Sequence, residues 1–347
     1  MATYVLRRLL ILPVILLLIT IILFGALLLL PIEQRVNVYI PSSNPHLTAE
    51  EYRHLQESMI ERYGLDDPFA VQYLRWLRNL VRGEWGHSPT WRQGVLQGLR
   101  LRAPATVELA VFSLVPSVLL ALASGSWAAR FQRRLPDAGV RIMAFLGWSF
   151  PSFILGLMLM NVLYAWLDWF PPGRASIWAE RLISADGFRV TGFYTIDALL
   201  AGNVELVEDA LRHLVLPGLT LAAMQWALLT RITRTSLLGV MREDYIVTAH
   251  AKGLPARRVV REHARPNALL PVVSAAGVVV TTFFSNVVVV EVLFGFNGIG
   301  YWAGRAILQA DVPVALGFAL FTGIVTVLTS LVADILYGLL DPRVRLH

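Results

Sequence analysis

Long apolar segments alternate with polar connections along the whole chain, and six of them are long enough to cross a bilayer. A membrane-spanning helix needs about 20 apolar residues, and lipid cannot satisfy backbone polar groups, so the pattern predicts helices rather than strands. The first apolar run is too long for the core of a secretory signal, roughly 7–15 residues, and is interpreted as a retained span. The predicted spans are residues 9–31, 105–128, 140–166, 213–230, 271–292 and 314–337.

Some polar and turn-forming residues interrupt this pattern. Ser149, Pro151 and Ser152 are placed to break the third span, and Pro217 and Gln225 make the fourth the weakest. The six segments together predict an all-α integral membrane protein.

Two longer connections predict structured segments outside the membrane. Residues 32–104 hold nine arginines balanced by acidic residues and predict a small helical domain. Its first helix is expected to begin at Thr48, with Glu51 completing a capping box. The stretch 203–213 is predicted as a short amphipathic helix on the membrane surface.

The chain is accordingly divided into two parts. Residues 1–104 form a first span plus the external domain, and residues 105–347 form a five-helix core whose cytoplasmic loop is 231–270.

Composition and charge agree with a membrane protein and give it an orientation. Of the 347 residues 56% are hydrophobic and only 16% are charged, whereas soluble domains have about 25% charged residues. Basic side chains concentrate in the connections that lie on one side of six alternating spans, which is therefore predicted to be the cytoplasm, with both termini there. These residues are Arg7, Arg8, Arg130, Arg133, Arg134, Arg141, Arg231, Arg234, Arg242, Lys252, Arg257, Arg258, Arg261, Arg265, Arg343 and Arg345.

The connection between the fourth and fifth spans carries signals for two helices. Glu243 and Asp244 suit a first helical turn, Lys252 a last turn, and Gly253 a stop, so residues 242–252 are predicted as a helix roughly 16 Å long. A second helix, 256–265, is expected to end at Pro266. The two would form an elbow outside the membrane.

The composition of the first of these helices is typical of a docking element. Ala249, Ala251 and Gly253 are small enough to let another protein approach the backbone, and Tyr245 and Thr248 could insert beside them. A plain basic loop that follows the positive-inside rule explains the same residues equally well.

Several separate motifs resemble one family of transport proteins. The cytoplasmic run 243–254 with 263–264 and 267–271 resembles the coupling loop of ABC importer permeases, most closely the dipeptide/oligopeptide/nickel permease family. His250 and Pro266 stand where that family often has arginine, and Asn297 where proline is common. Further segments that resemble the family in the same order are 4–10, 63–68, 72–76, 102–109, 291–294, 298–300, 311–314, 334–337 and 340–345.

The resemblance implies a fold, partners and site residues. The implied fold is the type I ABC importer permease (MetI-like) fold with six transmembrane helices and an N-terminal external helical insertion, in the bacterial cytoplasmic membrane. The implied partners are a homologous permease in a heterodimer, two ATP-binding cassette ATPases that hold ATP and Mg, and an extracytoplasmic solute-binding protein. Ser285 and Asn286 would line the translocation path for peptides or related solutes. The implied ATPase-coupling residues are Glu243, Asp244, Tyr245, Thr248, Ala249, His250, Ala251, Lys252 and Gly253.

The residues indicate no catalytic or metal site in this chain. Lys252, the only lysine, lies between alanine and glycine, so the chain lacks a phosphate-binding P-loop, and any ATPase must be a separate subunit. There is no cysteine and no zinc-protease or serine-hydrolase motif, which disfavours a membrane enzyme, and the seven histidines do not cluster. No nucleic-acid partner is expected.

A self-sufficient secondary carrier or channel is the alternative function. Such carriers usually need ionisable groups at mid-membrane. Glu108, Glu291 and Asp334 instead lie near the ends of their spans and are expected to anchor the interface or to bond neighbouring helices.

Overall fold

The computed structural model describes residues 2–36, 39, 48–185, 188 and 190–340, and these fold almost entirely as helices. The predicted basic C-terminal residues Arg343 and Arg345 lie outside the described residues. The elements in chain order are α1 (Ala2–Leu28), α2 (Ile32–Val36), α3 (Ala49–Tyr63), α4 (Phe69–Val81), β1 (His87–Ser88), β2 (Gln93–Gly94), α5 (Val95–Arg130), α6 (Leu135–Ser149), α7 (Ser152–Leu159 continued by a π-helical stretch Met160–Trp166), α8 (Ile177–Ile183), α9 (Tyr194–Leu200), α10 (Val204–Val240), α11 (Asp244–Ala251), α12 (Ala256–Arg258 continued by a π-helical stretch Val259–Ala264), α13 (Arg265–Ser274), α14 (Ala276–Phe294), α15 (Ile299–Leu308) and α16 (Val312–Leu340).

The apolar spans confirm the prediction of a helical membrane protein. Within the described residues five helices are long and apolar enough to cross a bilayer, and a sixth span results if α6 and α7 are taken as one. Those two helices meet at a bend of 106°. Phe150 is extended there (φ −87°, ψ 130°) because it precedes Pro151, as the sequence predicts for this position. The third span is therefore broken rather than straight.

The predicted surface helix at 203–213 is wrong, because these residues begin the long helix α10. The side chain of Asn203 caps α10 by accepting a hydrogen bond from the Leu206 backbone N–H at 3.0 Å. Leu206, Ala210 and Leu214 are buried, so the apolar face packs against protein instead of lying on lipid. With 37 residues, α10 is about 55 Å long and exceeds a hydrocarbon layer of about 30 Å. Similarly, α5 begins at Val95, ten residues before the predicted start at 105.

The predicted end of the second cytoplasmic helix at Pro266 is also wrong. Helix α12 passes through the π-helical stretch Val259–Ala264 directly into α13. Pro266 lies in the first turn of α13, where a missing N–H is tolerated. A π-helical turn also shifts the hydrogen-bond pattern just before the proline ring. The elbow therefore connects to the fifth span without a break at this position.

Helix α10 is the centre of the core and packs along α5, α6, α13 and α14. Close approach to α5 depends on Gly125, where an added Cβ would lie 2.7 Å from the Thr233 Cβ atom. Small residues at such crossings allow the tight packing that holds membrane helices together. In the first half of α5, Leu109 belongs to the same buried cluster as Phe283 and Phe294 of α14.

The first helix of the predicted external domain begins where the sequence predicts. Thr48 is the N-cap of α3, and its reciprocal hydrogen bonds with Glu51 form the predicted capping box. Helix α4 is joined to α1 by an aromatic cluster of Phe24, Tyr73 and Trp76, with the Thr20 and Tyr73 hydroxyls 2.9 Å apart. The domain therefore packs directly on the C-terminal end of α1.

A second segment predicted to be external, from the end of α7 to the start of α10, is organised around the buried carboxylate of Asp197. The carboxylate accepts hydrogen bonds from the Thr191 N–H and hydroxyl, both at 2.7 Å, and from the Gly192 N–H at 2.9 Å. Burial raises the pKa of Asp197, whereas the hydrogen bonds lower it. The effect of the hydrogen bonds is the larger in sum, so the pKa lies below the usual value.

This lowered pKa predicts acid sensitivity of the segment. Because the folded-state pKa lies below an unfolded-state value of about 3.9, the stabilisation is present above that value and is lost as pH falls through the folded pKa. Asp197→Asn is expected to reduce the unfolding temperature at neutral pH and to remove this part of the acid dependence. Thermal unfolding of the purified protein across the acid range measures both effects. Asp66→Asn, which changes an exposed carboxylate, is the control. An unchanged acid profile in Asp197→Asn would contradict the prediction.

Candidate functional site

The site is built around α11, the short helix that follows the last turn of α10. It spans Asp244–Ala251 and is thus shorter than the predicted 242–252, because Glu243 is an extended N-cap (φ −71°, ψ 147°) and Lys252 is the C-cap. Eight residues give a helix about 12 Å long. Gly253 follows with φ +79° and reverses the chain into Pro255.

One face of α11 is buried against the chain itself. Ile246 and Ala249 are 1% and 7% exposed. Ala249 therefore lies on the inward face, although it was expected, with Ala251 and Gly253, to meet a partner. The cluster that these two residues join, here called the elbow core, consists of Ala129, Leu237, Ile246, Ala249, Val259, Ala264 and Ala268.

The elbow core connects α11 to several spans. Its members come from the ends of α5 and α10, from α11, and from the π-helical stretch and α13 that lead into the fifth span. Close-packed apolar side chains transmit displacement because the interior has little free volume. A force on α11 would therefore be passed to the spans α5 and α10 and to α13, which precedes the fifth span.

The opposite face of α11 is exposed. Tyr245 and Val247 are 43% and 61% exposed. The polar groups on this face are bonded within the helix, since the Thr248 hydroxyl donates to the Asp244 carbonyl at 2.9 Å and the His250 Nδ1 lies 2.9 Å from the Ile246 carbonyl. Asp244, Thr248, His250, Ala251, Lys252 and Gly253 are exposed as well.

Val247 is the residue of this face that the sequence pattern did not single out. Ile246 precedes it, and the sequence alone does not show which of these two adjacent apolar residues faces outward. The exposed face of α11 combines an aromatic ring, an apolar side chain and small residues, which is a composition suited to a protein groove.

Gly253 is free of contacts on the side where a Cβ would lie. Nothing in the described chain comes within 4 Å of that position. The glycine is needed for its positive φ, which other residues adopt at a cost of roughly 1–2 kcal/mol. Its N–H donates to the His250 carbonyl at 2.9 Å and closes the helix end.

An ion pair next to the elbow holds α6 against α10. The Asp137 carboxylate is 1% exposed and accepts hydrogen bonds from Arg234 Nε at 2.6 Å and Arg234 Nη2 at 2.8 Å. The Arg133 backbone N–H donates to the same carboxylate at 3.0 Å. This pair was not predicted, because the arginine was assigned only to the positive-inside pattern.

A second buried pair lies at the other end of the molecule. Arg174 Nη2 is 3.1 Å from Glu108 Oε2, and the two side chains are 5% and 6% exposed. The Thr195 N–H and hydroxyl also donate to Glu108, at 2.8 and 2.6 Å, and the guanidinium lies 3.5 Å from the Tyr194 ring centroid. The pair connects the segment between α7 and α10 to α5.

Glu291, another buried acid, bonds neighbouring helices as predicted. It accepts a hydrogen bond from the Thr106 hydroxyl of α5 at 2.7 Å and from the Tyr301 N–H of α15 at 2.9 Å. Glu108 and Glu291 therefore both serve helix contacts.

The predicted path residues lie on α14, away from α11. Ser285 is exposed and its hydroxyl donates to the Thr281 carbonyl at 2.9 Å, whereas Asn286 is half-buried and donates to the Thr282 carbonyl at 2.8 Å. An exposed face of α14 carries Ser285 and Thr281 among valines. It is a mixed surface that is compatible with either a pathway or a second protein.

Over the residues that the structure describes, no group of three or more His, Asp or Glu side chains is placed to hold a metal ion.

Comparison with known proteins gives a family match over most of the chain. Residues 106–346 match the family described as "Binding-protein-dependent transport system inner membrane component". The matched region contains α11, the whole elbow core and both path candidates.

Curated relatives are similar over most of both chains. A protein named probable D,D-dipeptide transport system permease protein DdpB of Escherichia coli (strain K12) is 38% identical over 83% of this chain and 84% of its own length. The di/tripeptide transport system permease protein DppB of Pseudomonas aeruginosa (strain UCBPP-PA14) is 39% identical over 82% and 84%. The dipeptide transport system permease protein DppB of Alkalihalophilus pseudofirmus is 30% identical over 99% of this chain and 100% of its own.

Proposed function

The chain belongs to the family of binding-protein-dependent transport system inner membrane components, and from this membership we propose that it forms half of the membrane pathway of an ATP-driven peptide importer. It is the permease component of such an importer and not its ATPase. The observation that carries the proposal is α11, an exposed helix that shares a buried core with the ends of several spans.

The exposed face of α11 is proposed to dock on a cytoplasmic ATPase. The chain has no P-loop of its own, so ATP and Mg would be held by two ATP-binding cassette subunits. Tyr245, Val247 and Ala251 would fill the groove of the partner, with Asp244 and Lys252 at its rim. The elbow core would then transfer the motion of the ATPase to α5, α10 and α13.

A homologous permease is proposed to supply the other half of the pathway. Large apolar side chains along the broken third span are exposed in the single chain, among them Phe145 at 70% and Phe153 at 47%. Such a surface requires lipid or another membrane protein to cover it. Ser285 and Asn286 of α14 are proposed to line the path between the two permeases.

The transport cycle is proposed to be alternating access. Closure of the ATPases on ATP would draw the α11 helices of the two permeases together and open the path outward. Peptides, delivered by an extracytoplasmic binding protein, are the proposed substrate class because the curated relatives are named as dipeptide or di/tripeptide permeases.

The orientation proposed from the arginine pattern places α11 and both termini in the cytoplasm. In this orientation the Glu108–Arg174 pair and the domain formed by α3 and α4 lie outside.

A secondary carrier is the competing function, and the contacts of the buried acids disfavour it. A proton-coupled carrier needs carboxylates that can release and rebind protons on its path. Glu108 is paired with an arginine, and Glu291 is occupied by donors from two helices.

Isolation from the native membrane tests the proposal. A C-terminal tag should recover a homologous permease and P-loop ATPases, and proteoliposomes of the recovered complex should take up labelled dipeptide only with ATP and the binding protein. Recovery of this chain alone, with uptake driven by a proton gradient in ATP-free vesicles, would overturn the importer proposal.

A further inference from the structure

A cavity of about 330 Å³ lies where α1, the external helix α4 and the start of α16 meet. It is separate from the elbow core and from α14. Ser88 of the β1–β2 hairpin donates to the buried carboxylate of Asp311, which fixes the hairpin beside the first turn of α16. The walls of the cavity are thus built by three parts of the chain that are remote in sequence.

The cavity changes from apolar to polar along one direction. Its lining includes Phe24 and Leu27 from the last turns of the first span and Leu316 and Leu320 from the first turns of the last span. Arg35 and the other polar lining residues belong to the external segments that follow α1. The two span ends fix the level of the membrane surface, so the apolar floor lies in the hydrocarbon and the polar rim above it.

The polar rim carries a cation that lacks an acidic partner among the described side chains. Arg35 Nη1 donates to the neutral Gln72 amide oxygen at 3.2 Å, and its buried Nε has no hydrogen-bond partner. The other arginine of the rim, Arg75, is already paired with Asp67. Arg35 lines the cavity and its described side-chain partner is a neutral amide, so an anionic group in the cavity would gain a charge-assisted hydrogen bond from this guanidinium.

We propose that this cavity binds one phospholipid of the outer leaflet, with its phosphate on Arg35 and the start of an acyl chain on the floor formed by Leu316 and Leu320. Trp76 also lines the cavity, and its ring suits the headgroup level where tryptophans of membrane proteins concentrate. The bound lipid would join the external domain to the first and last spans. An anionic headgroup fits best because Arg35 forms no ion pair within the described residues, although Glu84 also lines the cavity.

Lipid retention measured by native mass spectrometry tests this site. The permease, with the subunits that purify with it, is placed in nanodiscs of phosphatidylcholine containing phosphatidylglycerol and then released in mild detergent. Arg35→Gln is expected to reduce retained phosphatidylglycerol about fivefold, the effect of one cation near a membrane surface. Arg35→Lys should retain most of it. Arg53→Gln, which removes an exposed arginine of α3 outside the cavity, should retain all of it.

A second variant separates loss of the charge from loss of the fold. Leu316→Trp fills the floor without touching the cation and is expected to reduce retention of both lipids. Unchanged retention in both Arg35→Gln and Leu316→Trp would overturn the proposal. Release of the retained lipid by inorganic phosphate or glycerol phosphate alone would also overturn it, because the site would then hold a soluble anion.

Discussion

Gly253→Val is expected to reduce ATP-driven uptake at least tenfold while the protein still inserts, folds and pairs with its partner permease. The reason is geometric. The residue adopts φ +79°, and a Cβ there points into space that no described atom of this chain occupies. A branched side chain would both shift the end of α11 and occupy room proposed for the ATPase. Loss of one well-packed contact of about 2 kcal/mol corresponds to roughly thirtyfold in affinity.

Two further variants distinguish the effect of backbone strain from the effect of a lost contact with the ATPase. Gly253→Asn tolerates a positive φ, so any remaining loss of uptake reports the added side chain. Gly202 is the matched control, because it too has a positive φ, +66°, with nothing within 4 Å of the position that a Cβ would take, but lies before α10 at the other end of the molecule. Gly202→Val should carry the same local strain and keep uptake. Equal loss of uptake in both valine variants would contradict docking at α11.

Arg174→Ala is expected to destabilise the protein by about 3–5 kcal/mol, the usual cost of leaving one member of a buried ion pair without its partner. Glu108 would keep the hydrogen bonds from Thr195 but lose the guanidinium that lies 3.1 Å away. The Gly192 carbonyl would lose its donor as well. Thermal unfolding of the detergent-solubilised protein measures the loss.

The double variant Glu108→Gln with Arg174→Ala tests whether the unpaired carboxylate causes the loss of stability. Removing both charges should recover part of the stability, because no uncompensated carboxylate remains buried at this position. Arg212→Ala is the control, since that exposed arginine donates to the Trp169 carbonyl, at 2.8 and 3.1 Å. Its expected cost is about 1 kcal/mol. A double variant no more stable than Arg174→Ala would show that the stability is lost through packing and not through the unpaired charge.

The membrane spans could be predicted from apolar runs, because the thickness of a bilayer sets the length of a span. The bilayer also excludes backbone N–H and C=O groups that lack a hydrogen-bond partner. The errors fell where tertiary contacts override a local pattern. The amphipathic face of 203–213 was correctly identified, but it is buried by protein, as Leu206 shows, and not by lipid. Pro266 was interpreted as a stop, whereas the preceding π-helical stretch lets the helix continue through it.

The polar pairs could not be predicted, because their members are far apart in the chain. Arg174 and Glu108 are separated by 66 positions, and Arg234 and Asp137 by 97. The sequence shows an acid in an apolar setting and can predict that it needs a partner, but not which one. Likewise, the residues of α11 were identified, but its rotation was not, so Ala249 was placed on the outward side and Val247 was overlooked.

The central claim, that α11 is the contact with a cytoplasmic ATPase, is tested most directly by cross-linking. The chain has no cysteine, so Val247→Cys, 61% exposed on α11, and Leu199→Cys, 65% exposed on α9, each introduce a single thiol. In native membranes a thiol-to-amine cross-linker should join Val247→Cys, but not Leu199→Cys, to a P-loop ATPase subunit, with a yield that changes on adding ATP. No ATPase adduct at Val247→Cys, together with its labelling by a membrane-impermeant thiol reagent from outside intact cells, would contradict the account.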